Sequence, residues 1–396
     1  MKKKLTITAV YIISFLLSGC KEDVQKSATT PNDTKTINLT SMEESFPDTS
    51  YFKKPKIVVL ETTEESLISE ITRIAMDDSI LFIYDNQSNK LFMFNINGKY
   101  ISKIDSKGNG PKEYAQTVDF TIDPIKKQII LLCAVPEKRM YFTYIGKFIK
   151  EENNDYFFSC LMTDGKYIYL EHNPRNIDYQ FHIINTETSE EKDVFKTLNI
   201  KNYLYVEGKS LNRGKDILYV RRYDNSIYEL KNGEIRKKYQ IDFKKHSFPA
   251  RFTEEDEETV MTDSDTNEYI YSMTNITEND HYILFYTNLG IFVLDKRKDT
   301  LTGYKEILNT KFLALGNNPD FCFSYYLPIE NTPMIACLFE ETDFLNRVAK
   351  RIIKLKDSDL KEIRSKHPGL LEEIVHIGSQ VTEENNPVLF IYEFKD

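Results

Sequence analysis

The 396-residue chain contains no tryptophan, six histidines and five cysteines. Four of the cysteines are spread over the long stretch after Cys20, which is too sparse for the disulfide framework of a small secreted domain. Each lies beside apolar residues, so we expect small buried side chains, with a Cys322–Cys337 disulfide as the alternative. The four are Cys133, Cys160, Cys322 and Cys337.

The common catalytic signatures are also missing, since the chain has no HExxH, GxSxG or CxxC motif. His172 and His182 fall in one predicted repeat on facing strands, where they are either a metal-binding pair or ordinary surface or loop histidines. The stretch Asp263–Glu268 begins like a calcium-binding loop but lacks the required Gly and Glu. The sequence therefore predicts no catalytic residue, no metal and no cofactor.

Acidic residues outnumber basic ones, 61 to 52. Removal of a predicted leader with three lysines changes the balance to 49 − 61 = −12. An acidic chain without a basic stripe repels nucleic acid, so we expect no nucleic-acid partner.

The N-terminus has the three parts of an export signal. Lys2–Lys4 are basic, an apolar run follows, and "LSGC" ends at Cys20. This ending resembles a bacterial lipobox, which predicts a signal peptide over residues 1–19 and lipidation of Cys20; an ordinary secretory signal is the alternative. The acyl chains would anchor the protein to a membrane.

The residues after Cys20 predict where that anchor lies. Lys21, Glu22 and Asp23 resemble the short charged signal that directs some Gram-negative lipoproteins to the outside of the outer membrane. We therefore expect an outer-membrane lipoprotein that faces the cell exterior, with a periplasm-facing lipoprotein as the alternative. Residues 20–55 are polar and lack a hydrophobic period, so they are predicted to be a flexible tether.

Beyond the tether, short runs of Ile, Val, Tyr and Phe alternate with Asn, Asp, Gly and Lys turns. They form a repeat of about 40 residues. The clearest copy is Ile68–Asp105, with strands at Ile71–Met76, "ILFIYD", "KLFMFN" and "YISKID". Later copies are Val118–Glu152, Leu161–Phe195, Leu211–Asp242 and Ile276–Ile307, and a sixth is assembled from "DFCFSYYLP", "MIACLFE" and strands supplied elsewhere.

A lone four-stranded repeat cannot bury both of its faces, whereas six arranged radially can. The sequence therefore predicts an all-β fold over residues 56–396, a six-bladed β-propeller of four-stranded antiparallel blades. We expect Ile57–Leu60 to join Val388–Phe394 in the last blade and so close the ring.

Two stretches interrupt the repeat. Phe252–Asp265 is acidic and predicts a short helix or loop, with Thr253 and Asp256 at its start, or else a ligand-facing insertion. From Asp357 onward, apolar residues recur near helical spacing and predict a short C-terminal helical insertion.

"GNGPKEY" followed by "VDFTID" resembles the 6-bladed β-propeller lipoproteins related to NHL-repeat proteins, as do "DNQSNKLFMFNINGKYISKI" before it and "NNPVLFIYEF" at the C-terminus. The matching positions of the family pattern G-x-G-P-x-E-Y are Gly108, Gly110, Pro111, Glu113 and Tyr114. The resemblance covers roughly Lys56 to Lys395. It implies the propeller architecture and no single activity.

The same loop is not predicted to bind a dinucleotide. Such a site needs a third glycine where Glu113 stands, and a helix where a strand is predicted to follow. We therefore expect a structural inter-blade loop, in which Gly108 and Gly110 allow unusual φ angles and Pro111 fixes the exit. Glu113 and Tyr114 would hold the loop against a neighbouring blade.

Two functional classes remain open. The first is a binding or scaffold module for a glycan, peptide or partner protein. The second is a propeller enzyme, a lyase or lactonase-like hydrolase with its site at the central channel. Converging carboxylates and histidines in the channel would favour the enzyme, and an apolar or mixed lining would favour the scaffold.

Overall fold

Short β-strands follow one another along most of the chain in the computed structural model, which describes residues 34–173, 178–198, 208–306, 325–340, 342–366, 369–382 and 384–395. The strands form four-stranded antiparallel groups, here called units and numbered 1 to 6. The first elements are β1 (Lys35–Ser45), α1 (Asp48–Tyr51) and β2 (Lys56–Val59).

Unit 1 has the strands that the clearest sequence repeat predicts. Its members are β3 (Ile71–Asp77), β4 (Ile80–Asp85), β5 (Lys90–Asn95) and β6 (Tyr100–Ile104). The register places Ile83 between Ile74 and Phe92, so apolar side chains stack across the unit. The Asp85 carboxylate accepts hydrogen bonds from the backbone N–H of Ser88 at 2.9 Å and of Ser69 at 2.7 Å, which fixes the turn after β4.

Units 2 to 5 repeat this order. Unit 2 contains β7 (Gln116–Asp123), β8 (Gln128–Val135), β9 (Glu137–Thr143) and β10 (Phe148–Asn153), and unit 3 contains β11 (Phe158–Thr163), β12 (Tyr167–His172), β13 (Tyr179–Asn185) and β14 (Glu191–Lys196). Unit 4 contains β15 (Leu211–Arg213), β16 (Ile217–Tyr219), β17 (Ser226–Lys231) and β18 (Glu234–Asp242), and unit 5 contains β19 (Met273–Glu278), β20 (Tyr282–Thr287), β21 (Gly290–Asp295) and β22 (Thr300–Glu306).

Unit 6 joins the two ends of the described chain. It contains β23 (Leu327–Glu330), β24 (Met334–Phe339), β25 (Val388–Glu393) and, as its fourth strand, β2. Lys56–Val59 pairs antiparallel with Val388–Ile391, which confirms the predicted pairing of these two segments. In addition, β23 pairs parallel with β3, so units 6 and 1 share one eight-stranded sheet.

Apolar clusters fill the spaces between successive units. One cluster joins units 1 and 2 through residues such as Phe82 and Phe120, and another joins units 4 and 5 through residues such as Ile227 and Phe285. Corresponding clusters lie between units 2 and 3, 3 and 4, 5 and 6, and 6 and 1. Since each unit packs on two neighbours, the fold is propeller-like.

The N-terminal tether prediction is wrong from Lys35 onward. Lys35–Asn38 pairs parallel with β18, and Leu39–Ser45 pairs parallel with β22, so β1 covers the outer edges of units 4 and 5 in turn. Ile37 is buried against both units. The segment is polar because most of its side chains face solvent. It is nevertheless a strand, because its backbone pairs with the free hydrogen-bonding groups at the edges of β18 and β22. Residues 20–33 lie outside the described residues.

Helices occur in the two stretches that interrupt the repeat. Two 3-10 turns, at Lys244–His246 and Ala250–Thr253, precede α2 (Glu257–Asn267). The N-cap of α2 is Asp256, whose carboxylate accepts a hydrogen bond from the N–H of Thr259 at 2.9 Å. The predicted start at Thr253 is therefore wrong, because that residue closes the preceding turn. Most of Asp263–Glu268, the stretch that begins like a calcium-binding loop, lies within α2.

The C-terminal helical insertion lies between β24 and β25. It comprises α3 (Thr342–Lys354), α4 (Asp357–Lys366) and α5 (Leu370–Gly378). The helices after Asp357 were predicted, but α3 was not, although its buried residues Leu345, Ala349 and Ile352 have helical spacing. Gly378 is required where α5 meets α3, since a Cβ there would lie 2.4 Å from the Leu345 carbonyl oxygen. No helix within the described ranges is long and apolar enough to cross a membrane.

Candidate functional site

The first strands of the units meet one another, and several of them carry a charged side chain at the meeting point. Arg73 lies on β3, Asp119 on β7, Arg213 on β15 and Glu330 on β23. These side chains are at most 9% exposed. An unpaired charge at such a buried position would raise the free energy of the folded state. The partners of these four side chains therefore determine whether any of them is available for catalysis or binding.

Arg73 joins three units. Its Nη1 donates to both carboxylate oxygens of Asp119, at 2.6 and 2.5 Å, and its Nη2 donates to Glu330 Oε2 at 2.9 Å. Asp119 Oδ2 also accepts from the backbone N–H of Leu161 in unit 3, at 3.0 Å. The charge of Arg73 is thus shared between two carboxylates from different units, Asp119 of unit 2 and Glu330 of unit 6.

Arg213 makes the corresponding links from unit 4. Its guanidinium donates to the carbonyl oxygens of Thr163 at 2.6 Å and Ile122 at 2.8 Å, and to Glu330 Oε1 at 3.2 Å. The same Glu330 oxygen accepts from the Thr121 hydroxyl. Glu330 therefore lies between two arginines, and it ties units 1, 2, 4 and 6 together.

The buried charges stabilise one another. Burial alone raises the pKa of Asp119, but the positive charges of Arg73 and Lys209 outweigh it and hold that pKa below its usual value. Burial lowers the pKa of Arg73, but Asp119 and Glu330 outweigh it and raise that pKa above the usual value. Both partners consequently remain charged.

Units 4, 5 and 6 are linked by neutral groups. The Asn275 side chain accepts from the N–H of Lys209 at 2.8 Å and donates to the carbonyl oxygen of Tyr326 at 3.0 Å. The Tyr326 hydroxyl donates back to the Asn275 carbonyl oxygen at 3.0 Å. These bonds hold together the segments that lead into β15 and β23, beside the charged centre.

The centre therefore has converging carboxylates, but each is already engaged by an arginine. A general base or a metal ligand needs a free lone pair directed at a substrate or ion. Asp119 and Glu330 instead accept hydrogen bonds from two or more donors each. This arrangement is suited to holding the units in place.

The loop from Gly108 to Tyr114 connects units 1 and 2. Tyr114 is fully buried between them, and its hydroxyl donates to the carbonyl oxygen of Asn89 at 3.0 Å. The Glu113 carboxylate accepts from the N–H of Gly110 at 2.8 Å, so it braces its own loop. Pro111 lies between these two residues in the turn.

The expected unusual φ angles at Gly108 and Gly110 are not observed. The loop residue with positive φ is Lys112, at +64°. The glycines instead make room for Glu113, because a Cβ at Gly108 would lie 2.1 Å from the Glu113 carboxylate. Sequence spacing could not show this side-chain contact.

A second group of ionisable side chains lies in unit 3. His182 on β13 is directly opposite Asp193 on β14, and its Nδ1 is 2.9 Å from Asp193 Oδ1. The Nε2 of His182 is 3.2 Å from Glu191 Oε2. His172, the last residue of β12, has its Nε2 3.7 Å from the same Asp193 oxygen.

His172 is buried, so the surface or loop interpretation is wrong for this residue. Its ring centroid lies 4.7 Å from that of Phe158 and 5.8 Å from that of Tyr156. Burial lowers the pKa of His172, and the nearby Asp193 only partly offsets this. The structure thus brings together the two histidines that the sequence paired and adds a carboxylate that it did not.

The two ends of the units differ in the length of their connections. At one end, which we call the turn face, the first strand of each unit joins the second through short turns at 78–79, 124–127, 164–166, 214–216, 279–281 and 331–333. At the other end, which we call the insertion face, lie the second-to-third connections and those between units. Among the described residues, these include 105–115, 243–272 with α2, and the connection from β24 to β25 that contains α3–α5.

Among the described residues, more of the exposed large apolar side chains lie at the insertion face than at the turn face, where Ile125 and Ile145 are exposed. Val135 at the end of β8, and Tyr156 and Phe157 between units 2 and 3, are all exposed. Met261 on α2 and Ile353 on α3 are exposed within the two helical insertions. Exposed aromatic and aliphatic groups near long connections are typical of binding surfaces.

Residues 34–393 match a family described as a domain of unknown function (DUF4934). The chain belongs to this family. No curated protein sequence matches it. Among solved structures, a Bacteroides fragilis NCTC 9343 protein (BF0058), provisionally assigned as exported, is similar with a TM-score of 0.67 and 16% identity, covering 91% of this chain and all of that one. A duf4221 family member from Bacteroides vulgatus ATCC 8482 has a TM-score of 0.43 and 11% identity, covering 64% of this chain and 85% of that one.

The similarity to BF0058 supports the propeller-like fold of this DUF4934 member. The predicted lipidation and export residues, Cys20 and Lys21 to Asp23, lie outside the described residues, as does Cys322. Cys133, Cys160 and Cys337 are buried, as the sequence predicts, and the thiols of Cys133 and Cys160 form no disulfide.

The central charges of this DUF4934 member were missed by sequence reasoning. Arg73 and Asp119 each lie four residues before the end of a mainly apolar strand, in "ITRIAMD" and "VDFTID", and Arg213 and Glu330 are the last residues of theirs. A charged residue within the apolar first strand of several repeats was a signal that could have identified them.

Proposed function

We propose that this protein is an exported, lipid-anchored, six-bladed β-propeller that acts as a binding or scaffold module. In this proposal each unit is one blade, and the pairing of β2 with β25 closes the ring. The ligand would be a glycan, a peptide or a partner protein, bound at the insertion face. The protein would be anchored through Cys20 in the outer membrane and would face the cell exterior.

The binding role is supported by a contrast between the centre, where the carboxylates are paired with arginines, and the insertion face, where apolar side chains are exposed. The central carboxylates are neutralised by Arg73 and Arg213, so they do not offer a reactive group. The long connections and exposed apolar side chains lie together at the insertion face. The export proposal is supported by the N-terminal residues and by the provisional assignment of BF0058.

The binding surface can be tested with paired variants on opposite faces. The mature chain with Cys20→Ser would be applied to glycan and peptide arrays. We expect Tyr156→Ala/Phe157→Ala to lose the wild-type signals, because two exposed aromatic rings at the insertion face are removed. The control is Ile125→Ala/Ile145→Ala, which removes two exposed side chains at the turn face. Signals lost in the control and kept in the aromatic variant would contradict the proposal.

The anchor needs a separate experiment. Radiolabelled fatty acid should label the wild-type precursor and not Cys20→Ser, since only the thiol forms the thioether. Protease added to intact cells should digest the wild type, whereas replacement of Lys21, Glu22 and Asp23 by Ala should protect it without changing the labelling. Equal labelling of Cys20→Ser would exclude lipidation, and protection of the wild type would exclude the cell-exterior location.

A further inference from the structure

We propose that His172, His182 and Asp193 form a binding site for a divalent transition metal of the zinc type. Two imidazoles and one carboxylate are a ligand set that such metals accept, whereas calcium and magnesium require mostly oxygen ligands. The three side chains lie on adjacent strands of unit 3, and one potential ligand atom from each lies within 4.8 Å of the others. His172 ends β12 at the insertion face, next to Tyr156, so the metal site borders the proposed binding face, but the proposal does not depend on a ligand being bound there.

The distances are close to those of a coordination sphere. Ligands about 2.0–2.1 Å from a tetrahedral zinc ion lie about 3.3 Å from one another. The Asp193 Oδ1 is 2.9 Å from His182 Nδ1 and 3.7 Å from His172 Nε2. The ligand atoms of the two histidines lie within 4.8 Å of each other, so shifts of about 1 to 1.5 Å would place all three atoms around one ion.

Glu191 supplies the partner that a metal-binding histidine needs. When His182 coordinates through Nδ1, its Nε2 carries the proton and donates to Glu191 Oε2, 3.2 Å away. A carboxylate in this position fixes the tautomer and the ring orientation of the ligand. The register of β13 and β14 produces this geometry, since His182 is opposite Asp193, and Glu191 is two residues away on the same face.

His172 has a buried nitrogen that protein contacts do not satisfy. Its Nδ1 has no hydrogen-bond partner within the described part of the chain. The 3.7 Å separation of its Nε2 from Asp193 Oδ1 is too long for a hydrogen bond. A bound ion would use Nε2, the nitrogen nearest Asp193, and Nδ1 would then carry the proton, while the ring packs against Phe158 and Tyr156.

The site has three protein ligands and one free coordination position. Asp193 is half-exposed, and His182 is only slightly exposed, so the fourth position would open toward solvent. A water molecule or a ligand oxygen could occupy it, as in zinc sites that remain open. The bound metal would also cross-link β12, β13 and β14.

The proposal is tested by zinc titration of the metal-free mature chain carrying Cys20→Ser, with isothermal titration calorimetry in a non-chelating buffer. We expect one zinc ion per chain, and affinity at least about 100-fold weaker for His172→Ala and for His182→Ala. Glu191→Gln should weaken binding by about 10- to 100-fold, because it removes the partner of His182. The control His376→Ala changes an exposed histidine on α5 and should bind as the wild type does.

Cobalt provides a readout that does not depend on affinity. Co²⁺ in the wild type should give visible bands typical of nitrogen and oxygen ligands, without the intense near-ultraviolet band of a thiolate, and Zn²⁺ should abolish them. Circular dichroism would show that the variants are folded, and His182→Ala is the safer variant because its ring is less buried. Zinc binding to the wild type that is no tighter than to His172→Ala and His182→Ala, or a thiolate band, would overturn the proposal.

Discussion

Removing Arg73 should show how strongly the central charges hold the units together. Arg73→Met keeps much of the side-chain volume but leaves Asp119 and Glu330 without three charged hydrogen bonds. Asp119 would keep the N–H of Leu161 at 3.0 Å, the Cys160 thiol and the more distant Lys209 at 3.5 Å. Breaking a buried ion pair from one side costs about 3–5 kcal/mol, and we expect this loss in the free energy of unfolding.

The assay is equilibrium urea unfolding at pH 7.5, followed by tyrosine fluorescence because the chain has no tryptophan. The double variant Arg73→Met/Asp119→Asn should be more stable than Arg73→Met, since Asn still accepts from the Leu161 N–H without carrying a charge. The matched control is Lys215→Met, which breaks the exposed 2.5 Å ion pair with Asp280 and should change nothing measurable. An Arg73→Met variant as stable as Lys215→Met would refute a structural role for the central charges.

Three further predictions test the closure of the ring, its outer edge and its pH dependence. Deleting Pro387–Asp396 removes β25, the partner of β2 and β24, so thermal melting of the whole domain should weaken; unchanged melting would place closure elsewhere. Ile37→Asp puts a charge into the buried face of β1 and should lower Tm by at least about 5 °C, whereas the exposed Thr36→Asp should not. Because the pKa of Asp119 is lowered in the folded state, its stabilisation is present above its unfolded pKa of about 3.9 and is lost as pH falls through the folded value. Urea midpoints measured from pH 6 downward should therefore fall less steeply for Asp119→Asn than for the wild type, and equal slopes would contradict this assignment.

The strands of units 1 and 2 could be predicted because their sequences carry local information. In "ILFIYD" and "KLFMFN", apolar strand residues are bounded by Asn and Asp turns, and both strands occupy the predicted residues. The pairing of β2 with β25 could also be predicted, because two apolar end segments had no other partner in the repeat. Local pattern is sufficient where each strand packs against its sequence neighbour.

The features that sequence reasoning missed depend on distant partners. β1 forms a strand because it pairs with the free edges of β18 and β22. β18 lies some 200 residues further along the chain. Arg73 and Glu330 are similarly remote in sequence, and they meet only because β3 and β23 pair. Asp193 looks like one more surface acid until the register of β13 and β14 places it beside His182.

The buried central charges and the long connections of the insertion face together determine where this propeller-like fold can bind a ligand. A central channel is available for a ligand only if the strands that line it leave room and free polar groups. Here Arg73 and Arg213 direct their Nη donors at Asp119, Glu330 and neighbouring backbone carbonyls. Variation that creates a binding surface is then tolerated best at the ends of the units, where insertions do not disturb the packed interfaces. The short connections of the turn face and the helical insertions of the opposite face fit this division of roles.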